Sequence, residues 1–207
     1  MITNLDRSEW VGASDIYTLI TSRRERTVNG RKEEYSTWTN FKLEKLGLME
    51  SSHVKTIYMT AGDLYEQPIL DVFGENVEYS KTIEIPELAL RVNLDGNTDK
   101  KIIECKTFRL ASGGISPSLM KRYYMQVQTQ MFAWKYLYGD PIEAEIRSYG
   151  LTDEDYYAAY NGYSLPIDPN RIHSKMLPYD EYFIEYKLLP KLKPFAEWLN
   201  GAIGREV

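Results

Sequence analysis

The stretch LALRVNLDGNTDKKIIECKT, residues 88–107, decides how this chain is read. Residues 88–94 and 101–107 are strand-like apolar runs, and the link between them, Asp95 to Lys100, is rich in turn formers. The pattern predicts a hairpin with 88–94 paired antiparallel to 101–107. On the second run Glu104 and Lys106 are two apart, so both side chains leave one face, while Cys105 points to the other. The hairpin sets Asp95 at the turn end of its strand, with Glu104 a few residues down the neighbour. Two carboxylates and an ammonium then converge on one surface.

Upstream, Ser14 reads as a helix N-cap before Ile16, Leu19 and Ile20, which share one face. Residues 23–34 are charged and contain Asn29-Gly30, the composition of a loop. Helical patterns follow at 35–48 and at 56–73, where Ile57, Leu64, Ile69, Leu70 and Phe73 are the apolar members and Pro68 predicts a bend. Residues 76–85 alternate weakly, as a strand would. Downstream, 117–138 predicts a long helix with Met120, Tyr124, Val127, Met131, Trp134 and Tyr138 as its core stripe. A strand at 142–150, an irregular Tyr-rich stretch at 152–168 and a strand at 171–177 come next. A last helix over 179–200 is expected to be interrupted by Pro190 and Pro194. The order predicts an α/β (α+β) fold, a central mixed β-sheet flanked by helices. Residues 1–207 read as a single domain, with a core over about 7–150 and a C-terminal strand and helix, about 170–202, packed on it.

Composition narrows the chemistry. The lone cysteine, Cys105, excludes a disulfide framework and a four-cysteine zinc or iron–sulfur site within one chain. His53 and His173 are isolated, with no metal-binding spacing. No apolar run approaches the roughly 20 residues that a membrane span needs, and the N-terminus lacks a signal-peptide layout, so a cytoplasmic location without membrane association is expected. The net charge of −5 argues mildly against nucleic-acid binding, although local basic patches can sit on an acidic body.

Carboxylates beside a lysine suit phosphodiester cleavage. The attacking water must lose a proton and the leaving oxygen gains charge, and divalent ions held by carboxylates serve both ends. Oxygen ligands fit Mg²⁺, with Mn²⁺ as a substitute. The backbone carbonyl of Cys105 lies between the two side chains and would add a ligand. Lys106 would orient the water, stabilise developing charge, or act as a base if its pKa were lowered. Against this, Glu-x-Lys on an exposed strand is usually a solvated charge pair, and a non-catalytic module with an acidic hairpin cap is the competing reading. Asp95-Gly96 placed upstream on the same hairpin supplies the structural context that favours a site.

The Asp95…Glu104-Cys105-Lys106 pattern on a hairpin resembles the PD-(D/E)XK (restriction-endonuclease-like) nuclease core, with Leu94 where that motif has proline. Four ordered segments are similar to the lambda-exonuclease or YqaJ-like viral recombinase branch. They are Arg7 with Gly12-Ala13-Ser14-Asp15, Ala61-Gly62-Asp63-Leu64-Tyr65-Glu66, the 93–106 segment, and Tyr124-Met125-Gln126-Val127-Gln128. The resemblance implies Asp95 and Glu104 as metal ligands, Glu66 near the metals or bound through water, and Lys106 as the catalytic lysine. It places Gln126 at the active centre, Arg7 on a 5′-terminal phosphate and Ser14 on a DNA phosphate. It further implies two Mg²⁺ ions, resection of double-stranded DNA ends from 5′ to 3′, a single-strand annealing protein as partner and a homotrimer, in a phage- or prophage-encoded protein of a bacterial host. An endonuclease cutting specific or branched DNA on the same core is the alternative. Read without the family, Glu66 is an exposed helix carboxylate made notable by Gly62 one turn earlier, which lets another segment approach. Arg7 is a surface arginine, and Ser14 is a plain cap. Gln126 and Gln130 share a helix face, and Gln128 falls on another.

Overall fold

The computed structural model describes residues 8–29, 31–49 and 55–206. In chain order the strands and main helices are β1 (Val11–Gly12), α1 (Ile16–Thr21), β2 (Glu25–Val28), β3 (Arg31–Glu34), α2 (Ser36–Lys45), α3 (Ile57–Asp71), β4 (Glu78–Tyr79) and β5 (Thr82–Ile85). There follow β6 (Leu90–Asn93), β7 (Gly96–Asn97), β8 (Lys101–Arg109), α4 (Pro117–Tyr138), β9 (Glu143–Leu151), α5 (Asp153–Tyr160) and β10 (Ile172–Leu177). A last helical stretch runs from α6 (Glu181–Phe183) through a π-helical segment (Ile184–Leu188) into α7 (Leu189–Ile203). The main sheet has the order β10-β9-β8-β7-β4, and only its central β8–β9 pair is parallel. Three further strands, β1-β6-β5, form a small sheet beside it. The mixed α+β architecture expected from the sequence is the one observed.

Helices cover both faces of the main sheet. On one face α3 and α5 close over Ile103, Cys105, Tyr149 and Leu151. On the other, α4, α1, α2 and the C-terminal helix enclose a larger cluster containing Ile102, Ala144 and Ile146. The helix starts follow local chemistry. Ser116 accepts from the Leu119 N–H at 3.4 Å with Pro117 in the first turn of α4, and Thr56 caps α3 through the Met59 N–H at 3.3 Å.

The hairpin expected from pairing 88–94 with 101–107 does not form. Residues 90–93 pair antiparallel with 82–85, not with 101–107, and only Gly96 and Asn97 pair with Ile103 and Ile102. The chain bends at Leu94-Asp95 and passes from the small sheet into the large one. The opposite strand bends with it. Ser80 takes a left-handed φ of 55° and donates its N–H to the Asp95 carbonyl at 3.3 Å. On this edge the bend leaves β8 without a strand partner beyond Ile103 among the described residues, so Glu104 and Lys106 stand beside an open strand edge.

Gly96 makes the bend possible. A Cβ there would lie 2.7 Å from Val77 Cγ1 and 2.8 Å from Leu70 Cδ2. Gly96→Ala is expected to cost about 1–3 kcal/mol through overpacking, read as a fall of several degrees in Tm.

Other expectations change in detail. Residues 23–34 are not a loop: β2 and β3 pair antiparallel, with Arg26 3.5 Å from Glu33 and Lys32 3.5 Å from Glu25. Both faces of that hairpin are polar, so no apolar alternation announced it. The stretch 152–168 contains α5, started by a reciprocal cap in which Thr152 Oγ1 accepts from the Asp155 N–H and Asp155 Oδ2 from the Thr152 N–H. Pro190 falls in the first turn of α7, after the π-helical segment, and Pro194 does not interrupt α7. Phe73 and Tyr138, expected in the core, are exposed.

Arg147 is fully buried on the α3 face of β9. It sits 2.9 Å from Glu145, pairs with Glu75 and donates to the Leu70 carbonyl at 3.1 Å, closing the end of α3. Lys101 adds contacts of 2.6 Å to Glu145 and 2.7 Å to Glu75. Burial by itself would push the Glu145 carboxyl up, but hydrogen bonds from Arg147, Lys101 and Ser174 outweigh it and hold it down, at about 2. A depressed acid contributes stability above its unfolded pKa and loses it as pH falls towards the folded value. Tm is therefore expected to fall as pH drops from 4.5 towards 2, less steeply in Glu145→Gln, as followed by circular dichroism melts.

Candidate active site

Glu104 is buried, at 1% exposure, on the α4 side of β8. Three donors hold its carboxylate. Gln126 Nε2 lies 2.5 Å from Oε1, Gln130 Nε2 lies 2.6 Å from Oε2, and the Lys106 ammonium contacts Oε1. Gln130 also donates to the Asn93 carbonyl at 3.2 Å, which ties α4 to the end of β6. The two amides come from successive turns of one helix, and this fixes how the carboxylate is turned.

Asp95 approaches from the bend. Its Oδ2 accepts the Cys105 N–H at 2.8 Å. A strand residue's N–H and carbonyl leave on the same side, so the Cys105 carbonyl also faces the Asp95 edge. The Cys105 side chain packs on the α3 face as expected, and burial pushes its thiol up, which leaves it unsuited to nucleophilic work.

Glu66 reaches the same place from α3. Burial pushes its carboxyl up, and Glu104 adds to this while Lys106 opposes it. Burial likewise pushes Asp95 well up, reinforced by Glu104 and Glu66 and opposed by Lys106. Burial works to lower the Lys106 amine, but the charges of Glu104 and Asp95 prevail and hold it up. Among these side chains alone Lys106 is therefore held as an ammonium.

Three carboxylates thus share one lysine, and they repel one another. Their hard oxygen donors and shortage of positive charge fit a divalent cation such as Mg²⁺. Among the described residues no three His, Cys, Asp or Glu side chains already close around a point as metal ligands. The Lys106 ammonium lies against Glu104 instead, and would have to yield one oxygen to an ion.

Two cavities open from this centre and share Asp95 and Lys106. One, of about 290 Å³, is walled by Lys45, Arg91, Ser14 and Trp10. The other, of about 450 Å³, extends past Glu66 between α3 and α4.

The fold is similar to that of a phage-related exonuclease. A crystal structure of that protein from Haemophilus somnus 129PT superposes with a TM-score of 0.62 and 17% sequence identity. The match covers 97% of this chain and 98% of that one. No family model matches the chain, and no curated protein does.

The structure therefore gathers Glu66, Asp95, Glu104, Lys106 and Gln126. Ser14 is exposed on the wall of the smaller cavity. It does not cap α1: it lies within a 3₁₀ turn, Ala13–Asp15, capped at Gly12, whose N–H donates to Asp15 Oδ2 at 2.8 Å. Arg7 lies outside the described residues. Gly62 is less demanding than expected, since a Cβ there would meet Thr107 Oγ1 at an ordinary 3.6 Å. Gln130 was missed. Its signal was the four-residue step from Gln126, which places both amides over the same carboxylate. Gln128 instead joins α4 to the last helical stretch, donating to the Pro178 carbonyl and accepting from the Asp180 N–H, both at 2.8 Å.

Proposed function

We propose that this protein is a divalent-metal-dependent deoxyribonuclease that resects double-stranded DNA ends from 5′ to 3′ and leaves a 3′ single-stranded tail for strand annealing. The observation that carries the reading is the convergence of Glu66, Asp95 and Glu104 with Lys106 at an open strand edge. The likeness in fold to a phage-related exonuclease supports it.

Asp95, Glu104 and the Cys105 carbonyl would hold Mg²⁺, with Glu66 nearby or bound through water. When bound, the ion supplies Lewis acidity to the phosphate and lowers the pKa of the attacking water. The protein's own residues do the rest. Gln126 and Gln130 keep the Glu104 oxygens turned to the site. Lys106, an ammonium on the same strand face, stabilises charge developing on the phosphate oxygens. On one wall Lys45, paired with Asp15, and Arg91, paired with Glu84 at 3.4 Å, stand beside Ser14, whose hydroxyl would meet a backbone phosphate. Arg7 would meet the 5′-phosphate of the strand being removed. A homotrimer and a phage annealing protein as partner belong to the same proposal. Among the described residues no helix is long and apolar enough to cross a membrane.

The test compares linear, nicked and closed-circular DNA with Mg²⁺, with each strand labelled and with 5′-phosphate or 5′-hydroxyl ends. Loss of label from 5′ ends of linear duplex alone, abolished by EDTA and by Lys106→Ala, is expected. Cutting of closed circles would make the protein an endonuclease. Equal rates on both end chemistries would remove Arg7 from the scheme.

A further inference from the structure

The larger cavity differs in chemistry from the smaller one. Tyr58 and Met59 from the first turn of α3, Tyr123 from α4, Phe108 from the end of β8 and Tyr156 from α5 make its walls aromatic and apolar. Tyr58 is 57% exposed and Met59 44%, so large apolar side chains are left on a wall beside the acids. These rings are held in place. Tyr58 packs edge-to-face on Tyr156 at 5.2 Å and 78°, and Tyr156 packs on the α3 side cluster. The Lys106 ammonium lies 5.1 Å from the Tyr123 ring centre, which joins the aromatic wall to the lysine of the site. A third cavity, of about 500 Å³, shares Phe108, Arg109 and Tyr123 and continues the groove outward.

We infer that this groove takes a single strand, with one unstacked base next to the scissile phosphate lying on the Tyr58–Tyr156 pair. The inference rests on the nuclease reading above. Size favours it: about 450 Å³ is the class of one small ligand and not of a duplex. Charge favours it as well. Besides Lys106 the only cation on these walls among the described residues is Arg109, which is paired with Asp153 at 2.9 Å, so the groove offers a phosphate little and a base much. Stacking on aromatic rings tolerates any base, as an enzyme moving along a strand requires. The smaller, polar cavity then receives backbone and the aromatic cavity receives a base, with the bond to be cut at their shared residues, Asp95 and Lys106. An intact terminal base pair cannot place a base there, so the end must open by at least one pair.

The test is a coupling cycle on binding, made in the Asp95→Asn protein so that the strand stays whole. The probe is a 5′-phosphorylated single strand with a fluorophore at its 3′ end, carrying either every base or one abasic residue at successive positions from the 5′ end. At one position the abasic residue is expected to weaken binding roughly 5- to 100-fold. Adding Tyr58→Ala should weaken the complete strand by a similar factor and leave the abasic strand unchanged. Tyr58→Phe keeps the ring and should bind as the parent does. Tyr58 is largely exposed, so an unaltered Tm verifies the fold of both variants. Multiplying losses at every position, or no sensitive position, would overturn the inference. Cleavage of linear DNA by the unmodified protein is the separate readout for the nuclease reading. A protein that cleaves without coupling loses only the base site, and one that couples without cleaving loses only the hydrolysis.

Discussion

Asp95→Asn is expected to lower Mg²⁺-dependent DNA cleavage at least a hundredfold while leaving the metal-free protein as stable as before, or more so. The two effects share a cause. The amide side chain of the variant would keep an oxygen to accept the Cys105 N–H, so the bend between the sheets survives. The substitution removes a carboxylate that burial and the charges of Glu104 and Glu66 already disfavour in its ionised form. An acid whose folded pKa is raised subtracts stability as pH climbs past its unfolded value, so neutralising it relieves the metal-free fold at neutral pH. On the proposed function the same change would delete a hard anionic ligand, and losing metal-assisted charge stabilisation would cost several kcal/mol at the transition state, on the order of 10²–10⁴ in rate. Melting curves with and without Mg²⁺, alongside cleavage rates, separate the two. The unmodified protein should gain Tm on adding Mg²⁺ and the variant should not. A variant that cleaves at near-normal rate would remove Asp95 from the site.

Arg147→Ala is expected to cost about 3–5 kcal/mol, a Tm fall on the order of 10 °C. Arg147 is enclosed among Glu145, Glu75 and the α3 carbonyls, and its removal leaves Glu145 buried at 2% exposure with Lys101 as its remaining cation. Most of the loss is the stranded carboxylate and not the missing attraction. Pairing Arg147→Met with Glu145→Gln should therefore cost less than Arg147→Ala alone. If the double variant is the less stable of the two, the buried network stabilises by its own attraction. The consequence reaches the site, because Arg147 binds carbonyls at the end of α3, the helix that carries Glu66. Cleavage should fall with Arg147→Ala even at temperatures where the variant is folded.

Some of this was readable from short windows of sequence. Glu104 and Lys106 share a face because strand side chains alternate, and that follows from their spacing alone. The long helix over 117–138 was readable from its apolar period, and the α5 cap lay open in Thr152-x-x-Asp155 although the stretch around it reads as irregular. The β2–β3 hairpin was not readable by pattern, since its stabilising pairs are charges on both faces.

The amino-acid order by itself determined the type of the longer apolar-patterned elements, the shared face of Glu104 and Lys106, and the excess of acid around a single lysine. These depend on backbone period and on side-chain type, which act over a few residues. Only the tertiary structure decided which strand lies beside 101–107, that Gln130 joins Gln126 on Glu104, that Lys106 is held charged, and that an aromatic groove adjoins the acids. These depend on how separate elements meet, where burial and mutual repulsion set the chemistry and no local pattern records the meeting.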